Sequence, residues 1–247
     1  MVTTNQKRFE TAFNEGMNLY KQSIEKSGKS KRRLIDESLD AFSKALELAN
    51  ITTTETRRVP YIYEYITLCY GVIALDYLDE QHDLKKGMEY IGKARETNSK
   101  TLLNEETNIR ELFFFERLQK IGLDAQQMDT VDSISQQMFD YTQRLDNTEK
   151  RILYLNKAKT GFIYTKNAKM VDKVYDTLLK ITKKLKKQDE KTKADIFREY
   201  GNYCNTILKK PKEATKYLSE AKKLYETLKL ADETTATQLE LEKVKTN

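Results

Sequence analysis

The side chains that most often carry out catalysis are few in this chain and are not arranged for it. His82 is the single histidine, and it lies beside carboxylates in the polar stretch YLDEQHDLKK, a setting typical of a solvated turn. Neither Cys69 nor Cys204 is close in sequence to a histidine or to another cysteine, so the spacing of a zinc site is absent. The sequence has no Gly-rich phosphate loop, HExxH pattern or EF-hand loop. We therefore expect no enzyme activity, no metal ion and no cofactor.

Lysines provide a second candidate chemistry, the binding of phosphate groups or of an acidic partner. Residues 151–247 contain 23 basic and 13 acidic side chains and so carry +10, against +6 for the whole chain. The predicted basic patch consists of Lys180, Lys183, Lys184, Lys186, Lys187, Lys209 and Lys210. Arginine is almost missing here, no aromatic residues are interleaved, and apolar residues at 178–185 indicate the buried side of an amphipathic helix. A solvated helix face is therefore favoured, and a nucleic-acid site is the alternative.

The composition indicates that helices must position any functional residue. Only 2 Pro and 8 Gly occur, too few for the turns of a many-stranded β protein, and 33% of the residues are charged. The apolar spacing predicts about ten helices of roughly 15 to 25 residues. Pro60 and Pro211 stand near predicted helix starts, and Asp83 is a predicted N-cap. Residues 1–232 are predicted to form one helical domain, and the weakly patterned residues 233–247 a flexible tail.

Two further features bear on where the protein works. No apolar run approaches the roughly 20 residues that span a membrane, and the stretch MVTTNQKRFE lacks the apolar core of a secretory signal. Cys69 and Cys204 lie within apolar patterns, which predicts buried, reduced thiols. We therefore expect a cytoplasmic or other reducing intracellular location.

Internal repetition distinguishes a stack of helical hairpins from a generic helical bundle, which is the alternative. A small–large–small spacing in DESLDAFSKALELAN recurs twice along the chain. The three sets are Ser38, Phe42 and Ala45; Gly87, Ile91 and Ala94; and Ala214, Leu218 and Ala221. Helices that come before such segments carry a central glycine, at positions 16, 71, 161 and 201. Because a glycine within a helix costs about 1 kcal/mol relative to alanine, we expect these glycines to permit close helix approach.

This pattern resembles the tetratricopeptide repeat family, which has a glycine and an aromatic residue in its first helix and a small–large–small pattern in its second. The best match joins Phe197, Tyr200 and Gly201 to the segment 214–221. Four of five helix pairs fit, whereas residues 101–146 lack both features. The resemblance implies an all-α, right-handed α-solenoid of about five antiparallel hairpins. It also implies a concave surface, lined by the first helices, that holds a peptide or a partner helix.

Counting around each first helix from its glycine predicts which residues line that concave surface. The predicted residues are Phe13, Met17, Tyr20, Lys21, Tyr65, Leu68, Val72, Leu75, Leu155, Ala158, Phe162, Lys166, Asp195, Arg198, Asn202 and Asn205. Family members that bind chaperone C-termini clamp a carboxylate with Lys and Asn in the first two repeats. Apolar residues take those places here, so that activity is not implied, although Arg198 with Asn202 resembles half of such a clamp. An apolar groove suits an amphipathic helix or a hydrophobic segment. The alternative is that these residues form packed core.

The sequence therefore predicts a noncatalytic adaptor or scaffold, a subunit of a larger complex, that binds a protein partner through its concave face. A nucleic-acid-associated factor that uses the lysine-rich C-terminal third is the first alternative. A vesicle-trafficking adaptor of the SNAP type is the second, on a general similarity in YLSEAKKLYETLKLADE. The sequence specifies neither the partner nor the oligomeric state.

Overall fold

The computed structural model describes residues 4–51 and 55–246, and all regular secondary structure in these residues is helical. The predicted all-α class is confirmed, and consecutive helices pack on each other in neighbouring pairs. The chain divides into two compact units, Met1–Lys150 (unit 1) and Arg151–Asn247 (unit 2), whereas the sequence predicts one domain over residues 1–232.

Unit 1 consists of three consecutive helical hairpins. Its helices are α1 (Thr4–Ile24), α2 (Gly28–Ile51), α3 (Val59–Leu75), α4 (Leu84–Asn98), α5 (Glu105–Asp124) and α6 (Met128–Thr142). As the sequence predicts, α3 begins with a proline in its first turn, and the Asp83 carboxylate caps α4 by accepting a hydrogen bond from the Lys86 amide at 3.0 Å. A π-helical segment, Asp76–Glu80, follows α3.

The first hairpin confirms the predicted role of the central glycine. Gly16 of α1 lies against the ring of Phe42 of α2, and a Cβ at this position would come within 2.9 Å of the ring. The Ser38 hydroxyl, one helical turn away on α2, donates a hydrogen bond to the Gly16 carbonyl at 2.8 Å. The small and large residues of the repeat therefore fix the crossing of the two helices.

The next two hairpins use their glycines differently. Gly71 of α3 faces Phe114 of α5, where a Cβ would make an ordinary contact at 3.5 Å, so this glycine is not required for a close approach to its own second helix or to the next hairpin. Gly87 of α4 lies against Leu78 in the π-helical segment. The third hairpin has a close approach of its own, since a Cβ at Gly122 of α5 would lie 2.9 Å from the Val131 side chain of α6.

Unit 2 contains most of α7 (Thr148–Tyr164) and all of α8 (Ala168–Thr182), α9 (Glu190–Thr206), α10 (Pro211–Thr227) and α11 (Ala231–Thr246). Gly201 of α9 repeats the arrangement of the first hairpin, because a Cβ there would lie 2.8 Å from Leu218 Cγ and 3.1 Å from the Leu218 amide nitrogen of α10. Lys159 of α7 lies over the ring of Tyr175 of α8, with its Nζ 4.9 Å from the ring centroid.

The prediction of a flexible tail over residues 233–247 is wrong for the described residues, because these residues up to 246 belong to α11. Leu241 and Val244 are buried against the core of α9 and α10. Two ion pairs join α11 to α9. Arg198 forms a forked pair with Glu240, at 2.6 to 3.1 Å, and Lys191 lies 3.5 Å from Glu233. Among the described side chains of this helix, Leu241 and Val244 are the buried apolar anchors, so its periodic signal is weak.

Several helix ends share one turn geometry. Residues with a left-handed backbone follow α5, α7, α9 and α10. They are Gln126, Lys166, Lys209 and Lys229, with φ between 55° and 59°. After α5, α7 and α10, the next amide donates to the carbonyl five residues back, as Asn167 does to Phe162 at 2.8 Å. This bond satisfies a carbonyl at the helix end and turns the chain sharply into the next helix.

Candidate functional site

Unit 1 uses most of its predicted concave-surface residues in its own core. Phe13 is 6% exposed and packs edge-on against Phe42 and Tyr65, so the prediction that it meets a partner is wrong. Met17, Tyr20, Tyr65 and Val72 are partly buried against the same cluster, and Leu68 is half-buried. Burial raises the pKa of the Tyr20 hydroxyl, with Cys69 and Tyr65 as smaller contributions. This cluster holds α1, α2 and α3 together.

In unit 2 the exposed face of α7 lies one or two residues later in the sequence than predicted. Leu155, Ala158 and Phe162 have no exposed surface, so the prediction is wrong for them as partner-binding residues. The residues that reach the surface between α7 and α9 come one or two positions later, at Asn156, Thr160 and Ile163. Lys166 is exposed, but it lies in the turn after α7 and not on the helix face.

The surface between α7 and α9 is concave, and we call it the α7–α9 groove. It has a volume of about 510 Å³, and α8 contributes Tyr175 to its lining. Its neutral polar lining residues are Asn156, Thr160, Asn202 and Thr206. From Asn156 to Ile163 the helix rises about 10 Å, since each residue adds 1.5 Å.

One end of the groove opens into an apolar pocket of about 250 Å³. The pocket is lined by Phe162, Ile163, Lys166, Ala168, Val171, Tyr203 and Ile207. Ile163 and Ile207, on its two sides, are 52% and 60% exposed, although they are among the most hydrophobic side chains in unit 2. The groove therefore combines a polar section with an apolar pocket for one side chain.

The charged groups that line the groove are paired. Lys159 is 7% exposed and forms an ion pair with Glu199, which is half-exposed. The Tyr203 hydroxyl donates a hydrogen bond to Asp172 at 3.0 Å, and burial together with this bond raises its pKa to about 12. Burial likewise raises the pKa of Tyr175, with a smaller effect from the nearby Glu199 carboxylate. Both hydroxyls are therefore neutral at physiological pH.

Asn156 contributes an unusual feature to the groove. Its Oδ1 atom is buried and accepts no hydrogen bond from the described residues. Leaving a buried acceptor unpaired costs about 1 to 3 kcal/mol. Because the atom has almost no exposed surface, this cost belongs to the fold and is not relieved by a ligand that lies on the surface of the groove.

The half-clamp expected at Arg198 is occupied by the chain itself. Its guanidinium pairs with the Glu240 carboxylate of α11, so it is not available to a carboxylate of a partner. Asn202 lines the α7–α9 groove, and Asn205 is half-buried. Arg198 therefore faces α11, while Asn202, one turn further along α9, borders the groove. Arg198 and Glu240 are 42 residues apart, so no local spacing indicates their pairing.

The predicted basic patch does not come together as one surface. Its lysines at 180–187 lie at the end of α8 and before α9, while Lys209 and Lys210 follow α9. All are exposed. The 17 residues of α9 separate the two groups by about 25 Å. The predicted patch is therefore two smaller basic regions, of which the second adjoins the apolar pocket.

Sequence reasoning missed a cleft of about 600 Å³ in unit 1 between α2 and the π-helical segment. Arg32 is its central residue. The Arg32 Nε lies 3.1 Å from both carboxylate oxygens of Asp36, and its guanidinium lies over the rings of Tyr77 and Tyr90. Its NH1 also lies 3.9 Å from Asp76. Because the Arg32 guanidinium is already paired with carboxylates and stacked on aromatic rings, we interpret this cleft as a structural contact between α2 and the π-helical segment.

His82, Cys69 and Cys204 lie in the surroundings that the sequence predicts for them. His82 is exposed in the turn before α4. Cys69 and Cys204 are buried and free, and burial raises the pKa of the Cys69 thiol to about 12. Among the described residues, no group of His, Cys, Asp and Glu side chains is placed to hold a metal ion. None of the described helices is long and apolar enough to cross a membrane.

Comparisons with known proteins leave the family open. The chain matches no protein-family model, and no curated protein is significantly similar to it in sequence. The resemblance to tetratricopeptide repeats therefore stays a prediction.

Proposed function

We propose that this protein is a noncatalytic adaptor that docks a short linear segment of a protein partner in the α7–α9 groove. The observation that carries the proposal is the apolar pocket between two isoleucines that are 52% and 60% exposed. Covering exposed aliphatic side chains at the mouth of a pocket is favourable, because it removes apolar surface from water. The free thiols of Cys69 and Cys204 suit work in a reducing compartment such as the cytoplasm.

The dimensions of the groove favour an extended segment. A strand rises about 3.3 Å per residue, so about three residues span the roughly 10 Å from Asn156 to the pocket. Amide and hydroxyl side chains along that distance can both donate to and accept from a peptide backbone. The pocket receives one aliphatic side chain of the segment.

The expected affinity is moderate. Covering the exposed halves of Ile163 and Ile207 contributes about 1 kcal/mol each, and burying one aliphatic anchor contributes about 2 kcal/mol more. Hydrogen bonds along the groove add about 1 kcal/mol each. Association and ordering of the segment offset part of this sum, so we expect a Kd of about 1 to 100 μM.

Selection of random linear peptides displayed on phage, with the full chain as bait, tests the proposal. Peptides that enrich are synthesised, and their affinity is measured by fluorescence anisotropy for the native chain, Ile207→Ser and Leu239→Ser. Leu239 is a matched control, because it is 54% exposed on α11 and does not line the groove. We expect Ile207→Ser to weaken binding about 5-fold, since it removes roughly 1 kcal/mol of apolar contact, and Leu239→Ser to leave it unchanged. Equal effects of the two substitutions, or no enriched peptide, would refute the proposal.

A further inference from the structure

Five exposed lysines surround the end of the α7–α9 groove at which the apolar pocket lies. Lys166 and Lys169 belong to the connection from α7 to α8 and to the start of α8. Lys209, Lys210 and Lys212 occupy the corresponding connection from α9 to α10. Lys166 lines the pocket itself, and Lys209 and Lys210 follow Ile207 by two and three residues. The Cα atoms of Lys209 and Lys210 therefore lie within about 11 Å of the Cα atom of Ile207.

These lysines have few partners within the chain. Among the described residues, Lys210 pairs with Glu213 at 3.9 Å, and the other four have no ion pair. On α8, the Asp172 carboxylate accepts a hydrogen bond from the Tyr203 hydroxyl and keeps its negative charge. Five lysines against the carboxylates of Glu213 and Asp172 still leave the pocket end of the groove with an excess of positive charge.

Helix stability does not account for the whole cluster. Lys166 and Lys209 follow the C-terminal ends of α7 and α9, where the helix dipole favours a cation. Lys169 and Lys212, however, are second residues of α8 and α10, where the dipole disfavours a cation. Two lysines placed against the dipole, beside two exposed isoleucines, indicate that this edge meets a negatively charged partner.

We propose that the segment docked in the α7–α9 groove carries acidic side chains directly beyond its aliphatic anchor. The anchor enters the apolar pocket, and Asp or Glu residues one to three positions further on meet Lys166, Lys169, Lys209 and Lys212. This inference rests on the proposed function, because it specifies the partner of the same groove. The groove walls carry amide and hydroxyl side chains together with the paired Lys159 and Glu199, and this favours a polypeptide over an anionic bilayer, since a bilayer surface does not reach into a groove beside the pocket.

The test compares two variants that each lose four lysines. The edge variant carries Lys166→Gln, Lys169→Gln, Lys209→Gln and Lys212→Gln. The control variant carries Lys183→Gln, Lys184→Gln, Lys186→Gln and Lys187→Gln, at the opposite end of α9. All eight side chains are exposed, and circular dichroism verifies that both variants fold. Phage-displayed random peptides are selected on the native chain, and the affinities of the synthesised peptides are measured at low and high salt.

The inference expects enriched peptides that combine an aliphatic residue with a neighbouring run of Asp or Glu. Their affinity should fall about 10-fold in the edge variant at low salt, since each solvated ion pair contributes modestly, and less than about 2-fold in the control. Enriched aliphatic peptides without acidic residues would overturn the inference and leave the proposed function standing. The absence of any Ile207-dependent peptide would overturn both.

Two further probes test the other classes of anionic partner. Vesicles with and without phosphatidylserine, and a single-stranded RNA, are mixed with the same variants. Binding of either probe that the edge variant alone loses, without enrichment of acidic peptides, would overturn the inference in favour of a membrane or nucleic-acid surface. Equal losses in both variants would indicate attraction to net charge only and would also overturn it.

Discussion

Replacement of Gly16 by alanine tests how the first hairpin is held together. An added Cβ would lie 2.9 Å from Phe42 Cε1 and 3.0 Å from two further ring atoms, whereas carbon atoms normally approach to about 3.5 to 4.0 Å. The Phe42 ring cannot easily withdraw. It has no exposed surface, it stacks on Tyr65 at 5.1 Å, and Phe13 packs against its edge. The helices must therefore move apart or the ring must leave its position.

The expected magnitude follows from two opposing contributions. Alanine favours the helix by about 1 kcal/mol over glycine, while overpacking a core costs about 1 to 3 kcal/mol. We expect Gly16→Ala to lower the free energy of unfolding by about 1 kcal/mol. Gly92 of α4 is the matched control, because it is exposed and a Cβ there would meet no atom within 4 Å. Gly92→Ala should therefore stabilise the protein by about 0.5 to 1 kcal/mol.

Urea unfolding followed by far-UV circular dichroism measures both changes. Gly16 and Gly92 both belong to unit 1, so the same unfolding transition reports on each. The two variants should differ by about 2 kcal/mol, in opposite directions from the native chain. A Gly16→Ala variant as stable as Gly92→Ala would show that the glycine is not needed for close packing against Phe42.

Three further substitutions test other features of the fold. Gln126→Gly, at a left-handed residue after α5, should stabilise unit 1 by about 1 kcal/mol in thermal unfolding, and a loss of stability would contradict the turn geometry. Glu199→Gln removes the carboxylate that pairs with the buried Lys159 and should lower the free energy of unfolding by about 2 kcal/mol. Adding Lys159→Met should recover part of this loss, and an unchanged thermal midpoint for Glu199→Gln alone would count against the pair. Glu240→Ala breaks the forked pair with Arg198 and should speed amide hydrogen exchange in α11 about 5-fold, which corresponds to about 1 kcal/mol in the free energy of local opening. Unchanged exchange would mean that Arg198 does not anchor α11.

The helical hairpins could be predicted from sequence because their contacts depend on local spacing. Gly16 meets Phe42, and Gly201 meets Leu218, as the paired patterns indicate. Gly71 breaks the rule, since it faces Phe114 of the next hairpin. Spacing within a helix indicates that a position must be small, but it does not identify which neighbour fills the space.

The groove could be predicted only in part, because α7 carries apolar residues on more than one face. Leu155 and Phe162 are buried, while Ile163 is half-exposed, and hydrophobicity alone does not separate them. The polar residues Asn156 and Thr160, four positions apart, are the signal that marks the exposed face.

Local apolar periodicity does not predict α11, because the apolar face of this helix consists mainly of Leu241 and Val244. Its ion pairs with α9 bridge 42 residues of sequence. A signal for them does exist. Lys191 and Arg198 are seven residues apart on α9, as are their partners Glu233 and Glu240 on α11, so two complementary charge patterns share one helical spacing.

Methyl NMR of the native chain, with its isoleucine methyl groups labelled with ¹³C, most directly tests whether the α7–α9 groove is the docking site. A peptide enriched by phage selection is titrated into the labelled chain. We expect the methyl signals of Ile163 and Ile207 to shift, and both to show nuclear Overhauser contacts to the aliphatic anchor of the peptide. Binding that leaves both of these signals unchanged while signals of unit 1 shift would contradict the account.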